Sequence, residues 1–130
     1  MQAQLDKTQQ LSFPEGILGF PDHTQFRLEQ VDEAMYGWWW LTSSSDSSLK
    51  FLVCDPFVFF PEYDVELSAS DLGRLNLQKP SDANVLSLVT ANESFTANLA
   101  GPVVVNHKTH LAFQIVLDGD FPTAALVTGA

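Results

Sequence analysis

Few side chains in this sequence can do chemistry, and the histidines and the single cysteine are the first to consider. His107 and His110 lie three residues apart, a spacing at which two imidazoles can share a metal ion on a helix. The segment between them lacks helical periodicity and offers no third ligand nearby, so a solvated hairpin turn is expected. Cys54 lies in an apolar run beside Asp55, and its only local cation is Lys50. Because a reactive thiol needs a cation or imidazole beside it, Cys54 is predicted to be a buried apolar residue whose pKa is raised by Asp55.

Carboxylates are the second candidates, because two acids in different environments can share acid–base work. Asp55, Glu62, Asp64 and Glu66 occur close together in the sequence. The last three have the same parity, so on one strand they would line a single solvated face. This spacing favours an exposed acidic stripe over a catalytic pair.

Motifs for nucleotide binding and nucleophilic catalysis are missing from the sequence. Gly16 and Gly19 lack the lysine and the following helix that a phosphate-binding loop needs. No Gly-x-Ser-x-Gly turn occurs that would present a serine nucleophile. The sequence therefore predicts no enzyme activity, no metal and no cofactor.

Length and charge limit the class of protein further. A chain of 130 residues with 45% hydrophobic residues fits one globular domain over 1–130. Residues 1–6 do not resemble a signal peptide, and no apolar run approaches 18 residues, so the cytoplasm is the expected location. Sixteen acids against six bases give a net charge of −10, which repels nucleic acid and anionic membranes and attracts a basic partner. The same charge could also serve only to keep the protein soluble.

Short alternating or β-branched runs between turn residues predict an all-β protein. The predicted strands are 10–13, 24–31, 38–42, 49–54, 63–67, 84–90, 102–106 and 111–117, with a last short one at 121–127. Residues 57–60 are expected to resume pairing after Pro56, and Ser68 to Asp71 resembles a capping box that begins a helix over 71–75. The turn spacing favours a closed or nearly closed barrel of about eight short strands with one or two short helices. Trp38, Trp39 and Trp40 cannot all face inward, because successive residues of a strand alternate.

Several different rigid segments occur along the sequence, and each one taken alone can be explained as an ordinary turn. They are Phe13-Pro14-Glu15-Gly16-Ile17-Leu18-Gly19-Phe20, Leu49 to Pro56, Phe60 to Tyr63, Asn98 to Asn106, and Gln114 to Leu117. Their order and spacing over nearly the whole chain resemble the flagellar assembly factor FliW family. The sequence departs from the family pattern in five places, where the family usually has proline, alanine, glycine, tyrosine and arginine. These places are Leu18, Gly101, Ala112, Phe121 and Ala124, respectively.

The resemblance implies an antiparallel β pseudobarrel and a role in binding proteins. Members of the family bind newly made flagellin in the cytoplasm. When flagellin is exported, the freed factor binds CsrA, an RNA-binding translational regulator, and relieves its repression of flagellin translation. The resemblance thus implies two protein partners, no direct contact with nucleic acid or membrane, and a monomer when free.

Two sets of candidate site residues follow from this resemblance together with the charge pattern. The predicted flagellin-binding residues are Phe13, Pro14, Glu15, Gly16, Phe20, Asn98, Leu99, Pro102 and Asn106. The predicted regulator-binding residues are Glu62, Asp64, Glu66 and Asp71.

Two other classes of protein stay open at this stage. A small-ligand-binding β-barrel would need spare interior volume and a few inward polar groups, whereas this sequence supplies many large apolar side chains. A small oligonucleotide-binding barrel would use the abundant aromatic residues, but the negative charge opposes it.

Overall fold

The computed structural model describes residues 8–128, and most of its regular structure is antiparallel sheet. The strands are β1 (Thr8–Ser12), β2 (Gln25–Gln30), β3 (Trp38–Ser43), β4 (Lys50–Cys54), β5 (Ala83–Ala91), β6 (Phe95–Ala97), β7 (Val103–Asn106), β8 (Ala112–Gln114) and β9 (Ala125–Leu126). The helices are α1 (Pro56–Phe59) and α2 (Ala69–Arg74), and a single 3-10 turn covers Pro80–Asp82. No helix within residues 8–128 is long and apolar enough to cross a membrane.

The sheet begins as a simple antiparallel meander from β1 to β5. Beyond β5 its edge is divided, because the first half of β5 pairs with β7 and the second half pairs with β6. The outer partners are β8 on β7 and β9 on β6. The segment from Asn98 to Pro102 therefore carries the chain from one half of the divided edge to the other.

The two ends of the curved sheet meet without forming a ladder. Ser12 of β1 forms one isolated bridge with Leu111, and its N–H donates to the carbonyl of His110 at 3.0 Å. The predicted antiparallel pseudobarrel with short strands and two short helices is confirmed, with nine strands within residues 8–128 rather than about eight. The sheet is not closed, so of the expected closed or nearly closed barrel only the fully closed form is wrong.

Both faces of the sheet carry apolar clusters, because successive strand residues point to opposite sides. The cluster inside the curve contains Leu11, Phe13, Ile17, Phe26, Leu28, Trp39, Leu41, Val53, Leu86, Val103, Val105 and Ala112. Outside it, one cluster lies around Leu75, Val104 and Phe113, and another around Trp38 and Cys54. The helices and the irregular segments cover this outer face.

The three consecutive tryptophans show this arrangement directly. Trp39 belongs to the inner cluster, while Trp38 is buried in an outer one. Trp40 is only half-buried, and the Lys50 ammonium lies 4.3 Å from the centre of its ring. As the alternation predicts, the three rings do not share one face.

The segment after β4 differs from the strands predicted there. Residues 57–60 do not resume the strand, because Asp55 caps a helical turn by accepting the Phe57 N–H at 3.0 Å and Pro56 occupies its first position. Residues 63–67 alternate between half-buried and exposed but pair with no strand. The predicted strands there are therefore wrong, although the alternation itself is present.

The remaining predicted elements are close to those observed. Ser68 and Asp71 form the reciprocal capping box, and α2 follows it. The strand predicted over 111–117 is shorter as a regular element, but Ile115 and Leu117 still donate their N–H groups to the carbonyls of Pro102 and Ala100. The strand predicted over 121–127 is reduced to β9.

Candidate partner-binding surfaces

An acidic groove on the outer side of the sheet brings together all four predicted regulator-binding residues. Its volume is about 650 Å³. The lining residues are Glu62, Tyr63, Asp64, Glu66, Leu67, Ser68, Asp71, Val116, Leu117, Asp118 and Phe121. Five of these are acidic and none is Lys or Arg, so we call this feature the acidic groove.

The near wall of the groove is an extended segment held down by its alternate residues. The Tyr63 hydroxyl donates to the Leu99 carbonyl at 2.7 Å, and burial raises the pKa of Tyr63 to about 12. Val65 and Leu67 pack against the outer cluster around Val104. Because these three side chains point inward, the acids between them point to solvent. The predicted solvated acidic stripe is therefore confirmed, on a segment that is not part of the sheet.

Asp71 reaches the groove from the first turn of α2 and also holds that helix in place. Its carboxylate accepts the Ser68 N–H at 3.0 Å, and its own N–H donates to the Ser68 hydroxyl at the same distance. A carboxylate in this position also interacts favourably with the helix N-terminus.

The far wall comes from the segment after β8, which sequence reasoning does not assign to a site. Val116 is 81% exposed, and Leu117, Asp118 and Phe121 complete the wall. By sequence, Asp118 and Gly119 indicate only a turn. No local pattern indicates that this wall faces residues some fifty positions earlier, since only the fold brings them together.

The predicted flagellin-binding turn, Phe13 to Phe20, combines a buried base with an exposed rim. Phe13 is fully buried and packs edge-on against Phe26, with ring centres 5.2 Å apart. Gly16 has a positive φ of 66°, and a Cβ there would lie 2.3 Å from the Phe20 carbonyl oxygen. Only glycine satisfies both requirements, so this turn has one defined shape.

Apolar side chains project from the rim of this turn. Leu18 is 83% exposed, and Phe20 is 38% exposed while its ring packs against Phe51 and His23. Pro14 and Glu15 are also exposed. Of the residues predicted from this turn, Pro14, Glu15 and Phe20 can touch a partner, whereas Phe13 and Gly16 shape the turn.

The residues predicted from 98–106 are mostly engaged within the fold. The side-chain oxygen of Asn98 accepts the N–H groups of Ala100 and Gly101, each at 3.0 Å. Leu99 and Pro102 are buried. Contact of these residues with flagellin stays a prediction, and their position indicates an effect through the shape of the neighbouring surface.

Asn106 is buried at the end of β7 and ties three segments together. Its side-chain N–H₂ group donates to the carbonyls of Leu75 and Asn76 at 2.9 and 3.2 Å. Its side-chain oxygen accepts the N–H groups of Lys108 and Thr109. It thus fixes the end of α2 against the β7–β8 turn.

Gln114 connects the two predicted flagellin-binding segments, a role that sequence reasoning does not assign to it. Its side-chain oxygen accepts the Leu18 N–H at 2.9 Å, and its side-chain N–H₂ donates to the Gly101 carbonyl at 3.0 Å. Leu18 and Gly101 are 83 residues apart in sequence, since Gln114 is 96 residues from Leu18 and 13 from Gly101. One amide side chain therefore sets their relative position.

The Phe13 to Phe20 turn also contacts the helix that borders the acidic groove. Arg74 at the end of α2 donates to the Glu15 carboxylate at 2.7 Å, and its guanidinium lies 4.5 Å from the centre of the Phe113 ring. Asp71 lies one turn earlier on the same helix. The two candidate surfaces are therefore neighbours.

The other reactive side chains have structural environments. Cys54 is buried, and burial together with the neighbouring Asp55 raises its pKa to about 12, which confirms the prediction from sequence. The His107 backbone N–H donates to the Asp82 carbonyl at 2.8 Å, and the His110 ring Nδ1 lies 3.1 Å from the Gln10 carbonyl oxygen. Among residues 8–128, no three His, Cys, Asp or Glu side chains are arranged to hold a metal ion.

The fold and its surfaces define the class as a small all-β protein whose open antiparallel sheet curves around an apolar core and carries an acidic groove outside it. The sequence model of the family described as "FliW protein" matches residues 1–126. The chain belongs to this family of flagellar assembly factors.

Individual relatives agree with this assignment. The flagellar assembly factor FliW of Bacillus velezensis is 34% identical over 130 residues, which cover 97% of this chain and 90% of the relative. The flagellar assembly factor FliW of Alkaliphilus metalliredigens is 32% identical over 120 residues, which cover 90% of this chain and 74% of the relative. A crystal structure of the flagellar assembly factor FliW matches with a TM-score of 0.83 and 28% identity, covering 90% of this chain and 84% of that chain.

Proposed function

We propose that this protein is a non-enzymatic flagellar assembly factor that works in the cytoplasm as a monomer with two protein partners. It binds flagellin, and when free of flagellin it binds CsrA and antagonises that regulator, which relieves repression of flagellin translation. The observation that carries this proposal is the acidic groove, whose lining has five acids and no base, beside a rigid turn with exposed apolar side chains.

The acidic groove suits the RNA-binding regulator, because a protein that binds RNA presents basic surface. Carboxylates on both walls attract lysine and arginine side chains, while Val116 and Phe121 offer apolar contact between them. A net charge of −10 also speeds the encounter with a basic partner and opposes direct binding of nucleic acid.

The Phe13 to Phe20 turn suits flagellin as an apolar contact. Its exposed side chains, Leu18 and Phe20, rest on a base fixed by Gly16 and Gln114. A rigid base limits the conformational entropy that an interface loses on binding. Asn98 supports this surface indirectly, because it binds the Gly101 N–H and Gln114 links the Gly101 carbonyl to the Leu18 N–H. Leu99, Pro102 and Asn106 remain candidate flagellin-binding residues that act through the fold.

The contacts made by Arg74 and Gln114 support a switch between partners. Arg74 joins the turn to α2, which borders the groove. A partner that covers Leu18 and Phe20 would also meet Glu15, whose ion pair with Arg74 leads to the helix bordering the groove. Flagellin and CsrA are therefore expected to compete.

The alternative of a small-ligand-binding barrel has less support. The inside of the curved sheet is filled by large, fully buried side chains such as Phe13, Phe26 and Leu41. A ligand barrel would need a cavity at this place.

The test is a binding assay with purified flagellin monomer and purified CsrA. Wild-type protein should bind each partner, and adding flagellin should release bound CsrA. Leu18→Ser combined with Phe20→Ser should weaken flagellin binding by at least about tenfold, as expected for central apolar contacts. Leu126→Ser, which removes an exposed apolar side chain on β9, is the matched control and should leave binding unchanged.

Two outcomes would contradict the proposal. One is a folded wild-type protein that binds neither partner. The other is a ternary complex in which flagellin and CsrA are held together without competition, since this would separate the two surfaces.

A further inference from the structure

A second apolar surface lies away from the acidic groove and the Phe13 to Phe20 turn. Four side chains that are at least one-third exposed lie on the segments next to Trp38, and we call them the aromatic patch: Met35, Tyr36, Val58 and Phe95. Tyr36 is 74% exposed. None of the four lines the acidic groove or belongs to the predicted sites.

Contacts beneath the patch show that these residues form one surface. The Trp38 ring lies 5.1 Å from the Phe59 ring and 5.7 Å from the Phe95 ring, measured between centres. A Cβ on Gly37 would lie 3.4 Å from Phe59 and 3.7 Å from Val58. The loop before β3, the helix α1 and the start of β6 therefore meet here.

The loop that carries Tyr36 is held firmly by its backbone. The Met35 N–H donates to the Asp32 carbonyl at 2.9 Å, and the Asp55 N–H donates to the Gly37 carbonyl at 2.8 Å. The Asp32 carboxylate also accepts the Ala34 N–H. An exposed tyrosine on a fixed loop is a typical interface anchor, because little freedom is lost when a partner covers it.

The three segments that carry the patch contain charges of one sign. Residues 31–37, 55–60 and 91–96 contain Asp32, Glu33, Asp55 and Glu93, and they contain no Lys or Arg. This surface favours a partner with positive charge beside its apolar side chains. A second copy of this chain would bring the same acidic border and is repelled.

We infer that the aromatic patch is a docking surface for a peptide segment whose apolar side chains are flanked by lysine or arginine. Tyr36 and Phe95 contact the apolar face of the segment, and the negative charge of the neighbouring residues attracts its cations. A long methionine side chain in the patch allows it to adapt to the shape of the segment.

The test uses a labelled 14-residue model peptide with leucines on one helical face and lysines on the other. In a titration followed by amide NMR shifts, the largest changes should fall at residues 35–37, 58 and 95. Tyr36→Ser combined with Phe95→Ser should weaken the peptide at least about tenfold by fluorescence anisotropy. If the double variant does not fold, Tyr36→Ser alone, at an exposed loop position, replaces it and should also weaken peptide binding.

Three controls check that binding depends on the aromatic patch and on the positive charge of the peptide. A peptide with glutamates in place of the lysines should bind at least about tenfold more weakly. Leu126→Ser, and Asp22→Asn at an exposed position outside the patch and the acidic groove, should each keep wild-type affinity for the lysine peptide. The inference is overturned if the patch variants bind like wild type, if any control variant loses equal affinity, or if sedimentation shows a dimer that hides Tyr36.

Discussion

Gln114 shows how much one side chain contributes to the shape of a candidate surface. Its side-chain amide forms one hydrogen bond to each of the two segments predicted to bind flagellin, and so connects them. Gln114 is half-buried, and its bond to the Gly101 carbonyl is partly shielded from water, which strengthens that bond.

Gln114→Ala should lower the free energy of unfolding by about 1–3 kcal/mol, because two hydrogen bonds are lost and the Gly101 carbonyl loses its partner. Urea denaturation measures this change. Gln10→Ala is the control, since Gln10 donates only to the exposed Ser44 hydroxyl, and it should cost less than about 0.5 kcal/mol. Equal losses in the two variants would contradict the bridging role.

Gly16 and Gly19 differ in the space around them, although both have positive φ. A Cβ on Gly19 would meet nothing within 4 Å. Gly19→Ala should therefore lower the free energy of unfolding only through backbone strain, by about 1–2 kcal/mol. Gly16→Ala adds a clash with the Phe20 carbonyl and should cost about 1–3 kcal/mol more. Thermal unfolding of both variants tests this order, and a reversed order would refute it.

Tyr63 and Cys54 should make the fold sensitive to alkali. Folding raises the pKa of Tyr63 from 10.0, and that of Cys54 from 9.0, to about 12. Groups whose pKa rises on folding contribute stability below their unfolded pKa, and this contribution is lost as the pH rises to the folded value. Stability should therefore fall between pH 9 and pH 12.

Urea titrations at pH 8, 10 and 11.5 measure this loss. Tyr63→Phe should lose less stability than wild type between pH 10 and pH 11.5, because the phenol can no longer ionise. An equally steep loss in Tyr63→Phe would show that Tyr63 is not responsible.

At the scale of elements, α2 is a short helix held mainly by what surrounds it. Its capping box fixes the start, and Asn106 fixes the end through the Leu75 and Asn76 carbonyls. A six-residue helix is not stable alone, so these contacts keep Asp71 at the groove.

Asn106→Ala should therefore lower the free energy of unfolding by at least about 2 kcal/mol, since it leaves buried backbone groups without partners. Asn92→Ala, at an exposed turn position, is the matched control and should change it by less than about 0.5 kcal/mol. Chemical denaturation checks both. A loss below about 0.5 kcal/mol for Asn106→Ala would show that α2 is held by other contacts.

Strands were predictable from sequence where one face is apolar and the other polar. Phe26 and Leu28 of β2 point into the core, while Arg27 between them is exposed. Residues 57–60 do not alternate in this way. Here Asp55 as N-cap and Pro56 at the first helical position favour a helix. Residues 62–67 do alternate, but they are held by the Tyr63 hydrogen bond and by apolar packing, not by backbone pairing with a strand. Alternation alone cannot distinguish these two cases.

The candidate surfaces were predictable only in part for a related reason. Parity identified the exposed acids of one groove wall, Glu62, Asp64 and Glu66. The other wall, with Val116 and Asp118, carries no local signal because the fold alone brings it across. Burial of Leu99 and Asn106 is likewise a property of the divided sheet edge, which no sequence pattern reveals.

At the scale of the whole molecule, the central proposal is that the acidic groove itself, and not net charge alone, recognises the basic regulator. Two triple variants separate these effects, because each removes three negative charges. Glu62→Gln, Asp64→Asn and Glu66→Gln neutralise the groove, whereas Asp22→Asn, Glu29→Gln and Asp46→Asn remove the same charge outside both the groove and the aromatic patch.

The most direct measurement is calorimetric affinity for purified CsrA at low and moderate salt for wild type and both variants. The groove variant should bind at least about tenfold more weakly at low salt and show a flatter salt dependence, while the other variant stays close to wild type. Equal weakening in both variants, or wild-type affinity in the groove variant, would contradict the proposed role of the groove.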